Sequence, residues 1–301
     1  MMKGAKNMVG FVGLGIMGKP MAKNMLKAGH ELMVFDLNPA AVEELTAAGA
    51  KAGSVKEIGE SCGAVFIILP TGAIVQQVLF GENGLAPLLK TGAIVCDCSS
   101  VTPGESRQCA EKLAPYGVSF VDAPVSGGEP GAVNGTLAFM VGGKQKDFDA
   151  LKPYFDAMGS SALLMGDNGA GSVTKLANQI IVNNTIAAVS EAMVLAAKAG
   201  VDPEKVYQAI RGGLAGSAVL DTKAPKMYRR DFVPGGTITV NHKDIKNVLA
   251  AAHELDVPVP YSAQLFEIMQ TLKAHGHMQD DHAGIVQYFE MLAGVEVKSD
   301  N

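Results

Sequence analysis

The sequence predicts an α/β domain followed by an all-helical domain, joined by one long helix. Short apolar runs alternate with helix-like segments as far as about residue 166, and only helix-like segments follow residue 200. Residues 169–199 lie between them and contain no Pro, and no Gly after Gly171, which is typical of one long helix. We therefore expect a first domain of residues 1–166 and a second of residues 167–301 that begins with the long helix.

A glycine pattern follows the first predicted strand. Residues 8–12 are apolar and rich in β-forming residues, residues 19–28 predict a helix, and residues 31–35 predict a second strand. Between the first strand and the helix stands a G-x-G-x-x-G pattern, made by Gly13, Leu14, Gly15, Ile16, Met17 and Gly18. An acidic residue, Asp36, follows the second strand at close to the spacing of a dinucleotide-binding unit. These elements together predict a Rossmann-type dinucleotide-binding domain.

Each part of this pattern has its own physical role. Gly13 permits a tight turn, Gly15 lets the backbone approach a pyrophosphate, and Gly18 lets helix and strand pack closely. The N–H groups at the helix N-terminus then face the phosphates. Because the Asp36 carboxylate suits ribose hydroxyls and repels a 2′-phosphate, the sequence favours NAD over NADP.

The α/β alternation continues through the first half of the chain. Residues 64–69 are apolar throughout, which is typical of a parallel strand covered on both faces. The other predicted strands are residues 93–97, 119–122, 137–141 and 162–165, and the predicted helices are residues 40–48, 74–80, 106–113 and 148–158. Ligands of such sheets bind at the carboxyl ends of the strands, where polar loops follow residues 69, 97 and 122.

One of these loops contains Ser126, Gly127 and Gly128. Successive backbone N–H groups around glycines form concave anion sites, and a Ser hydroxyl adds a donor. The segment therefore predicts a site for a small carboxylate, although the same three residues taken alone are more typical of a β-turn.

The long helix carries a polar stripe on otherwise apolar faces. We expect Ser172 to cap it, and Lys175, Asn178 and Gln179 to share one face because they stand three and four positions apart. An unpaired buried Lys is expensive, so the stripe predicts a cleft where a charged group is used. A Lys on the protein surface near a helix start is the alternative interpretation.

The second half predicts helices and few chemical groups. The helices are residues 203–211, 218–227, 243–255, 263–275 and 284–292, with an extended segment possible at residues 237–240. Lys243, beside Asp244, is a candidate contact for cofactor or substrate, or simply a charge pair at a helix start. We expect Asp280 and Asp281 to be solvated loop carboxylates. The His275, His277 and His282 segment fits no zinc spacing and predicts a polar connection rather than a metal site.

Composition excludes several classes of partner. The net charge is −5 without a Lys/Arg run, which argues against nucleic acid and anionic membranes. No apolar run approaches the roughly 18 residues that a membrane span needs. The four Cys form no C-x-x-C pair and predict buried thiols in a reducing compartment, so we expect a cytoplasmic protein.

Several stretches together resemble the β-hydroxyacid dehydrogenase family. They are GFVGLGIMGKPMAKNM at 10–25, FDLNP at 35–39, DAPVSGGEPGAVNGTL at 122–137, GAGSVTKLANQ at 169–179 and KD at 243–244. The resemblance implies that Lys175 is the catalytic acid/base. It also implies that Ser126, Gly127 and Gly128 hold the substrate carboxylate, that Asn178 and Gln179 orient substrate, and that Leu69, Pro70, Thr102 and Lys243 touch the cofactor.

The resemblance also suggests a substrate. Residues 207–225 are most similar to family members that reduce tartronate semialdehyde to glycerate with NADH. The sequence departs from the family at Gln179, where many members carry Asn, and at Gly236, where Phe is frequent. A homo-oligomer, dimer or tetramer, is implied, and no metal is expected because Lys175 supplies the positive charge.

Two rival functions remain open at this point. One keeps the enzyme class and changes the substrate to 3-hydroxyisobutyrate, succinic semialdehyde or a sulfonated aldehyde. The other is a non-catalytic NAD-binding sensor, against which the Lys175 stripe argues because a sensor needs no proton donor.

Overall fold

The computed structural model describes residues 8–299, which divide into two compact units between Lys175 and Leu176. We call them the sheet unit and the helical unit. The sheet unit alternates short strands with helices, as the sequence predicts. Its strands are β1 Val9–Val12, β2 Leu32–Phe35, β3 Lys51–Ala52, β4 Ala64–Ile67, β5 Ile94–Asp97, β6 Ser119–Asp122, β7 Val125–Ser126, β8 Leu137–Gly142 and β9 Gly159–Gly166.

Helices connect these strands. They are α1 Gly18–Lys27, α2 Pro39–Ala47, α3 Val55–Ser61, α4 Gly72–Phe80, α5 Pro103–Leu113, α6 Gly128–Asn134 and α7 Gln145–Met158. Local chemistry sets several of their starts: Asn38 caps α2 before Pro39, and Thr102 and Glu105 form a reciprocal capping box on α5.

The strands form one mainly parallel sheet in the order β3-β2-β1-β4-β5-β6-β8-β7, with β9 paired to β8. The pairs from β3 to β6 and the β8–β9 pair are parallel, whereas β8 runs antiparallel to β6 and β7. Two apolar cores lie in this unit, one containing Phe11 and Phe66 and the other Val65 and Val95. Neighbouring residues of one strand face opposite sides, so the two cores cover both faces of β4.

The helical unit begins within the long helix α8, Ala170–Lys198. It continues with α9 Pro203–Ile210, α10 Ala218–Tyr228, α11 Ile238–Glu254, α12 Pro260–Ala274 and α13 Val286–Ala293. Its core packs Ile186 and Met193 of α8 against apolar residues of the later helices, among them Met227, Ile245 and Met269. The predicted fold class, a Rossmann-type α/β domain followed by an all-helical domain with a long helix between them, is confirmed.

Helix α8 is apolar along much of its length, and 39% of its most apolar 18-residue window is buried. Among residues 8–299 it is the one helix that could cross a membrane by length and composition alone. Its Asn183 and Ser190 side chains are fully buried, as are Ile186 and Met193. The core helix of a soluble protein passes the same test.

Two predicted helix starts are wrong. α8 begins at Ala170 rather than after Ser172, because Asp122 accepts backbone hydrogen bonds at its start in place of a local cap. Residues 237–240 are not a separate extended segment: Thr237 forms an isolated antiparallel bridge with Asp281, and α11 starts immediately afterwards at Ile238. Lys243 therefore lies in the second turn of α11 and not at a helix start.

Other differences concern short elements and buried groups. The sequence missed β3, α3, β7 and α6, all of seven residues or fewer. Ser126 belongs to β7, which pairs with β8, so the Ser-Gly-Gly segment starts inside a strand. Asp281 is fully buried and paired with Lys223, so its prediction as a solvated carboxylate is wrong. The four Cys are free and buried, as predicted.

Candidate active site

The glycine turn after β1 has two packing positions and one open position. Gly13 has a φ of +95°, and a Cβ there would overlap the carbonyl oxygen of Ile68. A Cβ on Gly18 would overlap the carbonyl oxygen of Gly13. Gly15 is exposed, and nothing lies within 4 Å of where its Cβ would stand. Gly13 and Gly18 are thus required by the fold, whereas the space at Gly15 is available to a ligand.

The N-terminus of α1 has no side-chain cap. Met17 occupies the N-cap position and makes no side-chain hydrogen bond to the helix. Leu14 is buried, whereas Ile16 is half exposed. A helix N-terminus carries a partial positive charge that favours a phosphate. Of the first three residues of α1, Gly18 keeps a backbone N–H for such a ligand, because the Lys19 N–H donates to the Gly15 carbonyl at 3.1 Å and Pro20 has no N–H.

Backbone hydrogen bonds hold the Asp36 carboxylate beside the glycine turn. One carboxylate oxygen accepts a 2.5 Å hydrogen bond from the Leu14 backbone N–H, and the other accepts a 2.7 Å bond from the Asn38 N–H. These bonds fix the orientation of the carboxylate at the end of β2. Each oxygen keeps a second lone pair, which is the capacity needed to accept from ribose hydroxyls.

Leu14 and Asn38, whose N–H groups bond this carboxylate, line a groove of about 600 Å³. Asn38 and three lysines of α1, Lys19, Lys23 and Lys27, line it together with Glu44. Lys19 pairs with Glu44 at 2.8 Å, and Lys23 pairs with the other oxygen of the same carboxylate. Hydrogen bonds from Lys19 and then Lys23 lower the pKa of Glu44 to about 2.

The loop after β4 is tied to the loop after β5. Leu69 donates its backbone N–H to the Ser99 hydroxyl at 2.8 Å, and Ser99 donates its own N–H to Asp97 at 2.9 Å. Leu69 is half-buried and Pro70 is exposed. Burial raises the pKa of Asp97 to about 6, and its second carboxylate oxygen has no hydrogen-bond partner in the described chain. Thr102 lies on the same β5 loop, where its hydroxyl caps α5.

The Ser-Gly-Gly segment has a glycine-specific backbone. Gly127 has a φ of +133° and Gly128 a φ of +61°, both in regions that side-chain-bearing residues disfavour. Both glycines are exposed and Ser126 is half-buried. Gly128 is the first residue of α6, and the carboxylate site at this segment stays a prediction.

The start of α8 is fixed by a buried carboxylate. Asp122, the last residue of β6, accepts from the backbone N–H groups of Gly169 at 2.7 Å and Ser172 at 2.9 Å. A Cβ on Gly171 would lie 2.9 Å from the same carboxylate. Burial raises the pKa of Asp122, against the lowering effect of these backbone hydrogen bonds. Lys175, half-buried, follows one turn later.

The next residues of α8 belong to a polar chain within the helical unit. Asn178 donates its amide N–H to the Gln179 amide oxygen at 2.9 Å, and Gln179 donates to Asp244 of α11 at 2.5 Å. Asp244 also pairs with Lys243 at 3.1 Å. This series of hydrogen bonds joins Asn178 and Gln179, the predicted substrate contacts, to Lys243, a predicted cofactor contact. Asp244 links them, although the sequence indicated it only as a neighbour of Lys243.

A second polar cluster surrounds Asp281. Its carboxylate pairs with Lys223 at 2.7 Å and accepts from the N–H groups of Gly235 and Ala283, both at 3.0 Å. A Cβ on the nearby Gly236 would lie 2.9 Å from the His282 Nε2. Burial, and then the Lys223 charge, lower the pKa of His282 to about 4.

The sheet unit fits a nicotinamide dinucleotide. Gly15 leaves room where the pyrophosphate backbone contact is expected, α1 begins without a side-chain cap, and Asp36 is held in position for a ribose. These residues would hold the dinucleotide along the carboxyl ends of β1 and β2.

Two family models cover nearly all of the chain. The NAD-binding domain of 6-phosphogluconate dehydrogenase matches residues 8–166. The NAD-binding domain of NADP-dependent 3-hydroxyisobutyrate dehydrogenase matches residues 169–289. The chain belongs to the β-hydroxyacid dehydrogenase family.

Individual relatives support the family and differ in substrate. The 2-hydroxy-3-oxopropionate reductase of Escherichia coli K12 is 42% identical over 285 residues, 95% of this chain and 98% of that protein. The 2-(hydroxymethyl)glutarate dehydrogenase of Eubacterium barkeri is 35% identical over 96% of this chain and 97% of its own length. The crystal structure of 3-hydroxyisobutyrate dehydrogenase from Salmonella typhimurium superposes with a TM-score of 0.86 at 31% identity, covering 93% of this chain and 99% of that one.

The enzyme class follows from these relationships. This β-hydroxyacid dehydrogenase is an oxidoreductase that uses a nicotinamide dinucleotide. The relatives have different named substrates at comparable identity, so the family relationship alone leaves open which acid this enzyme acts on.

The sequence did not indicate the residues that hold the loops and helices of the site in place. Asp97, Ser99 and Asp122 were interpreted as parts of strands and turns, although each lies at a strand end where ligand sites form. An acidic residue ending a β-rich run was the available signal for Asp97 and Asp122. Nothing in the sequence pairs Gln179 with Asp244, because the two stand 65 positions apart.

Proposed function

We propose that this enzyme reduces tartronate semialdehyde (2-hydroxy-3-oxopropanoate) to glycerate with NADH. The observation that carries the proposal is the polar stripe of α8, in which Lys175 and the amides of Asn178 and Gln179 stand three and four positions apart on one face. The 42% identity to the E. coli reductase supports the same substrate.

Lys175 acts as the general acid. When bound, the reduced nicotinamide supplies a hydride to the aldehyde carbon of the substrate. The carbonyl oxygen becomes an alkoxide, and the Lys175 ammonium group transfers a proton to it to give the alcohol. A cation placed where negative charge develops stabilises the transition state, and proton transfer from a positioned acid contributes on the order of 10²–10⁴ in rate.

The substrate carboxylate binds at Ser126, Gly127 and Gly128. Gly127 and Gly128 both have positive φ, consecutive N–H groups around such glycines can form a concave anion site, and the Ser126 hydroxyl adds a further donor. A carboxylate held there fixes one end of a three-carbon substrate. Leu69, Pro70, Thr102 and Lys243 would then contact the dinucleotide.

NAD is the preferred form of the cofactor. The fixed Asp36 carboxylate repels a 2′-phosphate, and two of the three groove lysines, Lys19 and Lys23, are paired with the one carboxylate of Glu44. A 2′-phosphate would therefore be repelled by Asp36, while Lys19 and Lys23 are engaged with Glu44.

We also propose the domain boundary, the oligomeric state and the cellular compartment that the sequence predicts. The functional domain boundary is placed at residues 166 and 167, with the nucleotide bound before it. The enzyme is proposed to work as a homo-oligomer, dimer or tetramer, in the cytoplasm, where its four buried thiols stay reduced.

The test is a screen of NADH oxidation over short aldehyde acids. Tartronate semialdehyde, methylmalonate semialdehyde, succinic semialdehyde and a sulfonated aldehyde should be compared at equal concentration. We expect tartronate semialdehyde to give the highest kcat/KM. No turnover with any of them would contradict the proposal.

A further inference from the structure

Both the oxygen and the nitrogen of the Gln179 side-chain amide form hydrogen bonds with other side chains of the protein. Its oxygen accepts from Asn178 at 2.9 Å, and its nitrogen donates to Asp244 at 2.5 Å. Gln179 is 7% exposed, so its side chain has little surface to offer a ligand. Asn178, in contrast, is only half-buried.

The chain of bonds fixes which way each amide faces. An ionised carboxylate only accepts hydrogen bonds, so Asp244 selects the N–H₂ end of Gln179. The opposite end of Gln179 is then an oxygen, which selects the N–H₂ end of Asn178. The orientation of the Asn178 amide is therefore set by Asp244 through Gln179.

The length of Gln179 makes this possible. Glutamine is one methylene longer than the Asn that many family members carry at this position, and that extra reach spans from α8 to Asp244 on α11. Hydrogen bonds to charged groups are shorter and stronger than neutral ones, which agrees with the 2.5 Å distance.

We propose that Gln179 is a positioning residue that orients the Asn178 amide toward substrate and makes no substrate contact of its own. The inference rests on the proposed function of the α8 stripe. It assigns the direct contact with the substrate hydroxyl to Asn178 alone. Asp244 sets the orientation of the pair.

A Gln179→Glu variant tests the hydrogen-bond directions. When protonated, the introduced carboxyl copies the Gln amide, because its O–H donates to Asp244 and its second oxygen accepts from Asn178. When ionised it has no donor and repels Asp244. That repulsion together with burial raises its pKa, and the Lys243 ammonium, which pairs with Asp244 at 3.1 Å, acts in the opposite direction. We expect kcat/KM to fall about tenfold or more at pH 8–9 and to recover toward the wild-type value as the pH is lowered to 5.

Gln179→Met is the matched control for shape, because it keeps the length and cannot form either hydrogen bond. We expect it to raise the KM of the aldehyde acid roughly tenfold at every pH, with little change in kcat. Thr185→Val is the control on the same helix, since the exposed Thr185 hydroxyl bonds only the Ile181 carbonyl at 2.7 Å, and it should leave KM unchanged. NADH affinity, measured by fluorescence titration, should stay within twofold in all three variants, and melting temperatures check that each is folded.

The outcomes separate this inference from the proposed function. If wild-type enzyme reduces another aldehyde acid better, the same variants are measured with that compound, and a pH-dependent recovery still supports the positioning role. A Gln179→Glu profile parallel to that of wild type, or a Gln179→Met variant with wild-type KM, would overturn the inference while leaving the dehydrogenase activity established.

Discussion

The carboxylate of Asp122 accepts a 2.9 Å hydrogen bond from the backbone N–H of Ser172, and its other oxygen accepts one of 2.7 Å from Gly169. A residue at the end of β6 thus performs the capping role that Ser172 was expected to perform. The consequence is positional, because Lys175 follows Ser172 by three residues on the same helix. Asp122, at the end of strand β6, therefore fixes the start of α8, the helix that carries the proposed acid Lys175.

Asp122→Asn should weaken this support. The amide keeps one acceptor but places an N–H₂ group against a backbone N–H, which leaves a buried donor unpaired at a cost of about 1–3 kcal/mol. We expect a lower melting temperature and a lower kcat, with NADH affinity unchanged. Asp156→Asn is the matched control, since Asp156 forms only an exposed pair with Lys152, and such pairs contribute about 0–1 kcal/mol. An Asp122→Asn enzyme that is indistinguishable from that control would refute the capping role.

Lys175→Ala should remove the general acid. We expect kcat to fall on the order of 10²-fold or more, the usual contribution of such a group, while NADH binding stays nearly constant. Stopped-flow reduction under single-turnover conditions separates the chemical step from product release. Turnover within a few-fold of wild type would reject the assignment of Lys175.

Substitutions of Asp36 and of Glu44 should both shift the cofactor preference toward NADPH. Asp36→Ala removes the repulsion of a 2′-phosphate and should weaken NADH while improving the relative use of NADPH. Adding Glu44→Gln releases Lys19 and Lys23 from their shared carboxylate and should improve NADPH use further. The measurement is the ratio of kcat/KM for the two cofactors, and a wild-type preference for NADPH would contradict the whole argument.

The stability of the sheet unit should depend on pH through Asp97. Burial raises its pKa in the folded state to about 6, above the unfolded value near 4. The folded state thus binds the proton more tightly, so this group's favourable contribution is complete below about pH 4 and is lost as the pH rises through about 6. The loss is on the order of 3 kcal/mol, since one pKa unit corresponds to about 1.4 kcal/mol.

Asp97→Asn should abolish that loss, because the amide oxygen can still accept from the Ser99 N–H and no charge forms. The difference in melting temperature between variant and wild type should move in favour of the variant from pH 4 to pH 7. Taking the difference cancels the contributions of the other carboxyls. A difference that stays constant across this range would show that Asp97 does not titrate there.

The fold could be predicted from the sequence because its signals are local. Gly13 and Gly18 are required by backbone contacts within one strand-turn-helix unit, and the apolar run of β4 reflects its burial on both faces. The bounds of α8 were nearly correct for the same reason. Its start was wrong because the capping group, Asp122, lies 50 positions away in the sequence.

The supporting residues of the site could not be predicted from the sequence. Asp281 looks like a loop carboxylate, and only the structure shows that Lys223 and two backbone N–H groups surround it. Gln179 looks like a substrate contact, and only the structure shows that Asp244 receives its amide. In each case the partner is distant in sequence, and polar residues have no periodic pattern that would indicate it.

The central claim is the substrate, and one comparison tests it most directly. A pocket distinguishes a methyl group only weakly, whereas groups that hydrogen-bond a hydroxyl discriminate strongly against its absence. The amide of Asn178, held by Gln179, suits the hydroxyl of tartronate semialdehyde better than the methyl of methylmalonate semialdehyde. With NADH at saturation, kcat/KM should be higher for tartronate semialdehyde, and Gln179→Leu should narrow the difference. Equal values, or a preference for the methyl compound, would contradict the account and favour a 3-hydroxyisobutyrate dehydrogenase.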